Sequence, residues 1–206
     1  MPWEEIDGEW VLKQSEEASC GICCVGMAIN LIEGSRIPED ALVAAFKRIS
    51  NRYDRSTKDR KGFRPTPVIQ MGYDIAHHGA GTYGNNLAQL LREYSINATY
   101  VGNPGDLVTP KTAMRHVGTD KYVIALVQWA AGGGHWVLVV HRNTHLGRAS
   151  DYKVLDPAGY VVENKGSTDY HPPYDPAGGS FSEYHVKIEG RLRYAKPSVI
   201  GRKLVA

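Results

Sequence analysis

The residue best suited to covalent chemistry is Cys20, which stands where a polar segment gives way to a long apolar run. A cysteine nucleophile needs a nearby base, a group that orients that base, and donors for the developing oxyanion. The run that begins at Cys20, CGICCVGMAINLI, predicts a helix buried on nearly every face. The unpaired N–H groups and the dipole at the start of such a helix stabilise a thiolate. We therefore predict that Cys20 is a nucleophile.

A candidate base and its partner lie far downstream of Cys20. His135 follows three glycines, residues 132–134, and opens an apolar, β-branched run that predicts a strand. Asp156 ends the next run of this kind, directly before a proline. If the two strands pair, the Asp156 carboxylate can hold the imidazole in the tautomer whose free nitrogen faces Cys20. Trp136 is predicted to be a packing residue beside the site, with shielding of the His135–Asp156 pair from water as an alternative role.

Two residues near Cys20 extend the pattern. Gln14 lies six residues before Cys20, on the polar segment that leads into the helix. Its side-chain amide can donate to an oxyanion beside the backbone N–H of Cys20. Gly21 follows Cys20 directly, and we expect it to leave room for the backbone of a substrate.

These residues, taken in chain order, resemble the papain-like cysteine peptidases. The most similar pattern is that of the peptidase domain of bacteriocin-exporting ABC transporters, which cuts leader peptides after a double glycine. In that family a Gln precedes the catalytic Cys at this spacing, a Gly follows it, and a Met recurs two turns later, as Met27 does here. A His that opens a hydrophobic strand and an Asp-Pro complete the resemblance, which covers roughly Val11 to Gly159.

The resemblance implies a role for each of four residues and a fold that carries them. Cys20 would be the nucleophile and His135 the base, with Asp156 orienting the base and Gln14 in the oxyanion hole. The implied architecture is α+β and papain-like. Its N-terminal helices include a central buried helix that carries the Cys, and a C-terminal antiparallel β-sheet follows.

The activity implied is that of a cysteine endopeptidase that acts on a protein or peptide through a thioester acyl-enzyme. The same triad also serves glutamine deamidases and transglutaminase-like transferases, because the shape of the pocket selects the substrate and the acceptor. The sequence contains no ATP-binding or membrane module, and residues 51–84 look like an insertion. In these respects it is similar to compact bacterial papain-like proteins that act as toxins or injected effectors.

Other interpretations of the cysteines and histidines remain open. Residues 20–23 form a CxxC, typical of thiol–disulfide exchange, but the polar residues 13–19 do not predict the core strand that such a motif follows. Cys23 and Cys24 are expected to be buried helix residues. No second ligand pair supports structural zinc, and the adjacent histidines at 77–78 are expected in a loop or on the surface. A non-catalytic peptide-binding module of the same fold is a further alternative.

Helices are predicted mainly in the first part of the chain and strands in the second. Four helices are expected, over residues 20–32 with a cap at Gly34, from Pro38 through Phe46, from Asn85 or Asn86 through Leu91, and from Thr109 to near Gly118. Strands are expected over residues 122–127, 135–140, 152–155, 160–162 and 185–188. Residues 164–182 are interpreted as a loop or flap, and its stretch from Tyr170 to Tyr174 is a place where we expect substrate selection. We expect one domain over 1–206, with a helical part to about 118 and a sheet part from 119.

Composition restricts the class of protein and its partners. The 206 residues are 42% hydrophobic and 22% charged, as in soluble globular domains. A net charge of +2 without a basic stripe argues against nucleic-acid binding. No apolar run is long enough to cross a bilayer, and the acidic N-terminus does not resemble a signal peptide. Clustered cysteines favour a reducing compartment. We therefore expect a cytoplasmic protein, or one exported by a leaderless route, that binds a protein or peptide and needs no metal or cofactor.

Overall fold

The structure of the chain is a computed structural model that describes residues 2–16, 18–58, 82–102, 114, 116–141, 151–165 and 169–192. The helices of this described part are α1 (Cys20–Glu33), α2 (Glu39–Lys58) and α3 (Gly84–Glu93). Its strands are β1 (Trp3–Ile6), β2 (Glu9–Leu12), β3 (Ile96–Val101), β4 (Tyr122–Trp129), β5 (Gly134–His141), β6 (Asp151–Asp156), β7 (Tyr160–Lys165), β8 (Asp169–Tyr170) and β9 (Gly179–Arg191). The described chain is therefore α+β.

Seven strands form one antiparallel sheet in the order β3-β9-β4-β5-β6-β7, with β8 paired to the start of β9. Because side chains alternate along a strand, the sheet has two apolar faces. Ile124 in β4 and Leu138 in β5 belong to the core that contains the helices. Val123 and Val139 belong to a second cluster on the opposite face. The site residues described below lie where the sheet meets the start of α1.

Helix α1 begins at Cys20, as predicted from the apolar run. All ten residues from Cys20 to Ile29 are buried, so the helix lies in the core rather than on the surface. Gly34 ends it in the left-handed conformation, with φ of 68°, and its N–H donates to the carbonyl oxygen of Asn30 at 2.8 Å. This confirms the predicted cap, since a residue without Cβ adopts that conformation at little cost.

The five strands predicted from β-branched runs lie within β4, β5, β6, β7 and β9. Other predictions were wrong. The chain opens with an antiparallel hairpin, β1–β2, around Asp7 and Gly8, which both have positive φ. Asp-Gly between alternating residues is a strong hairpin signal that the helix-first interpretation overlooked. Strand β3 also lies in the part expected to be helical.

The predicted loops were partly wrong as well. Helix α2 continues to Lys58, beyond the expected start of the polar segment at residue 51. The supposed flap at 164–182 contains β8 and the beginning of β9. The histidines at 77–78 and the helix expected from Thr109 lie largely or wholly outside the described residues. Among the helices that the structure describes, none is both long enough and apolar enough to span a membrane.

Candidate active site

His135 and Asp156 meet where two neighbouring strands of the sheet bring them together. His135 is the second residue of β5 and Asp156 is the last residue of β6, and these strands pair antiparallel. Nε2 of His135 lies 2.7 Å from Oδ1 of Asp156. His135 is 9% exposed and Asp156 is fully buried, so the pair is largely withdrawn from water.

Cys20 lies on the other side of the imidazole. It is the first residue of α1 and is 5% exposed. Its thiol is near enough to the His135 side chain to help raise the pKa of the imidazole. Because Nε2 already binds Asp156, Nδ1 is the ring nitrogen that remains for Cys20. The structure thus brings together three residues that are 115 and 21 positions apart in the sequence.

The surroundings of His135 favour its protonated form. Burial lowers the pKa of His135, but the hydrogen bonds and charges of Asp156 and Cys20 outweigh burial and raise the pKa to about 9. The imidazole can therefore hold a proton taken from the thiol at neutral pH, provided that both partners stay in place.

Asp156 receives four hydrogen bonds. Its Oδ1 accepts from Nε2 of His135 and from the backbone N–H of Ala158 at 2.8 Å. Its Oδ2 accepts from the hydroxyls of Tyr170 at 2.6 Å and Tyr174 at 2.8 Å. Burial raises the pKa of Asp156, yet these donors, with His135 foremost, bring the net shift below its ordinary value. Asp156 is therefore ionised and oriented.

Trp129, at the end of β4, stacks on the imidazole of His135, with ring centroids 5.8 Å apart and an interplanar angle of 22°. The prediction that Trp136 is a packing residue is confirmed, since its side chain belongs to the helix-facing core, where Nε1 donates to the carbonyl oxygen of Thr82 at 2.8 Å. The alternative, that Trp136 shields the imidazole, is wrong. The reason is strand alternation, since neighbours such as His135 and Trp136 project to opposite faces.

Gln14 lies near the Asp156 turn rather than in a demonstrated oxyanion hole. Its backbone N–H donates to the carbonyl oxygen of Pro157 at 2.8 Å. Its side-chain nitrogen donates to the carbonyl oxygen of Glu16 at 3.3 Å. The structure therefore places Gln14 on the loop between β2 and α1, in contact with the turn that follows Asp156, and its role as a donor to an oxyanion stays a prediction.

Glu39 anchors the loop that leads into Cys20, and sequence reasoning missed it. Its carboxylate is 4% exposed. It accepts from the backbone N–H and hydroxyl of Ser15 at 2.9 and 2.5 Å, from the N–H of Glu16 at 3.4 Å and from the hydroxyl of Ser19 at 2.5 Å. Burial raises the pKa of Glu39, but the hydrogen bonds from Ser15 and Ser19 lower it overall. The sequence presented this residue only as an ordinary first-turn acid.

Gly21 has a packing role rather than the open surface predicted for it. A Cβ at this position would lie 2.2 Å from Oγ1 of Thr82 and 2.9 Å from a methyl carbon of Leu87. The absence of a side chain therefore lets α1 lie close to α3, and the expectation that Gly21 leaves room for a substrate was wrong.

The other two cysteines are fully buried, as predicted. Burial, followed by the charge of Glu39, raises the pKa of Cys23, and burial raises the pKa of Cys24 well above its ordinary value. The Cys24 thiol donates to the carbonyl oxygen of Trp136 at 3.3 Å. Among the residues that the structure describes, no group of three or more His, Cys, Asp or Glu side chains could hold a metal ion.

Comparisons with known proteins yield likenesses in structure but none in sequence. No protein-family model and no curated protein matches the sequence. The fold is similar to the crystal structure of the Pseudomonas avirulence protein AvrPphB. The match covers 86% of this chain and 94% of that chain, with 10% sequence identity and a TM-score of 0.35. A match at this TM-score does not define a fold family, so the chemistry has to follow from the side chains themselves.

Proposed function

We propose that the protein is a papain-like cysteine peptidase in which Cys20 is the nucleophile, His135 the base and Asp156 the residue that orients the base. The observation that carries the proposal is the 2.7 Å contact between Nε2 of His135 and a buried carboxylate, with the Cys20 thiol near enough to this imidazole to help raise its pKa. A buried Cys–His–Asp relay of this kind supplies an activated nucleophile and an oriented base.

The proposed reaction begins with transfer of the Cys20 proton to Nδ1 of His135. The thiolate then attacks the carbonyl carbon of a peptide bond, and the C–O double bond becomes an oxyanion. When the oxyanion collapses, the C–N bond breaks and His135 gives its proton to the leaving amine. His135 then takes a proton from water as the water oxygen attacks the thioester carbonyl carbon. The C–S bond breaks, the carboxylic acid product leaves, and His135 returns the proton to the Cys20 thiolate.

The oxyanion would form beside the first turn of α1. The backbone N–H of Cys20 belongs to this turn, whose N–H groups have no partners within the helix. Gln14 is the proposed second donor. To reach the oxyanion, its side-chain nitrogen would have to leave the carbonyl oxygen of Glu16, to which it donates in the structure. We thus propose that substrate binding turns this side chain.

We also propose that residues 1–206 form a single domain. The helix-facing core is one cluster that includes Val11 of β2, Ile22 of α1, Leu90 of α3 and Ile188 of β9. A shared core over so much of the chain is what one folding unit requires.

The test is alkylation of Cys20 by iodoacetamide across pH, with mass spectrometry locating each adduct. Cys23 and Cys24 serve as internal controls because both are fully buried thiols with raised pKa values. We expect Cys20 to label rapidly below pH 7 in the wild type and at least tenfold more slowly in His135→Ala. Incubation of the wild type and Cys20→Ala with a mixed peptide library then detects cleavage directly.

Two results would count against the proposal. One is labelling of Cys20 at the rate of an ordinary thiol. The other is a rate that does not change in a folded His135→Ala variant. Cleavage of the library by Cys20→Ala at the wild-type rate would assign any peptidase activity to another source.

A further inference from the structure

The feature that carries a further inference is the segment 169–178, which we call the tyrosine strap. It begins with β8 and leads to β9, and it covers the side of Asp156 away from His135. The hydroxyls of Tyr170 and Tyr174 both donate to Oδ2 of Asp156, at 2.6 and 2.8 Å. The sequence suggested this segment as a place for substrate selection, and its contacts with the carboxylate indicate a different role.

The two phenols fix the orientation of the carboxylate. A carboxylate oxygen has two lone pairs in the carboxylate plane. Both phenols donate to Oδ2, while His135 and the N–H of Ala158 occupy Oδ1. Rotation of the carboxylate would break all four hydrogen bonds at once. The strap therefore keeps Oδ1 directed at Nε2 of His135.

The phenols remain donors throughout the pH range in which a Cys–His pair works. Burial raises the pKa of Tyr170 and of Tyr174, and the negative charge of Asp156 raises both further. Neither hydroxyl therefore loses its proton near neutral pH. Because each stabilises the ionised carboxylate, removal of either hydroxyl should make Asp156 easier to protonate.

The two tyrosines differ in their accessibility. Tyr170 is fully buried and packs on Phe181, with ring centroids 5.7 Å apart. Tyr174 is 41% exposed, and its ring contacts Trp129 edge-on and packs on Tyr160 at 5.2 Å. Donors to one carboxylate thus come from the core and from the surface.

We infer that Tyr170 and Tyr174 are positioning residues for the catalytic relay, which act by holding Asp156 ionised and directed at His135. This inference rests on the proposed function and deepens it. It also assigns the strap to the reacting half of the site rather than to substrate selection. Neither tyrosine contacts Cys20 through a hydrogen bond in the structure, so their effect on the thiol would pass through Asp156 and His135.

The experiment compares Tyr170→Phe and Tyr174→Phe with the matched control Tyr160→Phe. The control removes a hydroxyl from a ring that touches Tyr174, and no hydrogen bond from it to Asp156 is among those of the described residues. The titration of the Asp156 carboxyl is followed by ¹³C NMR, and the rate of Cys20 alkylation is measured as a function of pH. A substitution that only weakened packing would leave both the Asp156 titration and the pH dependence of Cys20 alkylation unchanged.

We expect the carboxyl of Asp156 to titrate at a higher pH in both strap variants. The acid limb of Cys20 alkylation should shift the same way, and the rate at neutral pH should fall roughly tenfold for each lost hydrogen bond to a charged group. Tyr160→Phe should match the wild type in both measurements.

Unchanged Asp156 titration and unchanged alkylation profiles in the folded strap variants would overturn the inference while leaving the proposed function intact. If Tyr170→Phe fails to fold, Tyr174→Phe decides the question, because its partly exposed ring tolerates the loss of an oxygen. Slow, ordinary alkylation of Cys20 in the wild type would overturn the proposed function. In that case a shifted Asp156 titration would mean that the two tyrosines stabilise a carboxylate with a structural role only.

Discussion

Among the described residues, two carboxylates are buried, and they support opposite halves of the candidate site. Asp156 stands on the sheet and accepts from three side chains and one backbone N–H. Glu39 stands at the start of α2 and accepts from two backbone N–H groups and two serine hydroxyls. Both are saturated with donors, as buried carboxylates must be.

The difference lies in what each carboxylate holds. Asp156 binds an imidazole that can gain and lose a proton, so its charge directly affects chemistry. Glu39 binds the loop that precedes Cys20, and none of its donors titrates. Its charge raises the pKa of the buried Cys23, which has no part in the proposed reaction, so Glu39 affects that reaction through position. A carboxylate in the sheet therefore adjusts reactivity, and a similar carboxylate beside the helix fixes geometry.

The sharpest test of this contrast is Asp156→Asn. The amide keeps one acceptor oxygen but loses the negative charge and offers NH2 in place of the second oxygen, so His135 loses its charged partner. We expect turnover to fall by roughly 10- to 100-fold, the range that loss of hydrogen bonds to a charged group implies. Turnover can be measured on any peptide that the wild type cleaves. Asp120→Asn, in an exposed turn before β4, is the control and should retain wild-type turnover.

Glu39→Gln should have a smaller effect on chemistry and a clear effect on stability. A neutral amide has one acceptor oxygen in place of two charged ones, so we expect the free energy of unfolding to fall by about 1.5–3 kcal/mol. Urea denaturation measures this change, and Cys20 alkylation at neutral pH should slow by roughly tenfold or less. Asp40→Asn changes the adjacent, exposed acid and should cost less. Equal losses of turnover in Glu39→Gln and Asp156→Asn would refute the division of roles.

The pH dependence of stability is the smallest expected effect. It distinguishes the Asp156 half of the candidate site from the Glu39 half. The pKa of His135 is raised to about 9 in the fold. Its contribution to stability is therefore complete below its unfolded pKa of about 6.5 and is lost as pH rises through 9. Thermal unfolding between pH 6 and 10 should show a decline in Tm in the wild type that is weaker in His135→Gln.

In Glu39→Gln the decline in Tm at alkaline pH should persist. The pKa of Glu39 is lowered in the fold, and in the folded and the unfolded protein alike it lies far below pH 6. The same decline in wild type and His135→Gln would mean that another group titrates there.

The positions of the residues proposed to react were predictable because such chemistry dictates residue type and local setting, while their catalytic roles stay predictions. Cys20 at the start of an apolar run, and His135 and Asp156 on adjacent β-branched runs, follow from residue type and period alone. The residues that support them carry no such signal. Glu39 resembles any acid in a first helical turn, and Tyr174 resembles any tyrosine near prolines.

Errors in the predicted fold have the same origin. The helix Cys20–Glu33 and its Gly34 cap could be predicted because local sequence determines both. Strand β3 could not be predicted in this way. Its six residues, INATYV, are held in the sheet by pairing with β9, which lies more than 80 residues away in the sequence. Gly21 was misinterpreted for a similar reason, since its neighbours Thr82 and Leu87 are far along the chain.

The position of β9 has a consequence for biosynthesis. This strand, the last that the structure describes, lies inside the sheet between β3 and β4 and pairs with both. Synthesis proceeds from the N-terminus, so Cys20 is made first and His135 follows 115 residues later. Tyr170 and Tyr174 are made later still, directly before β9. Under the proposed function, a growing chain therefore carries the nucleophile long before it can orient the base, and the proposed site is incomplete until β9 is made.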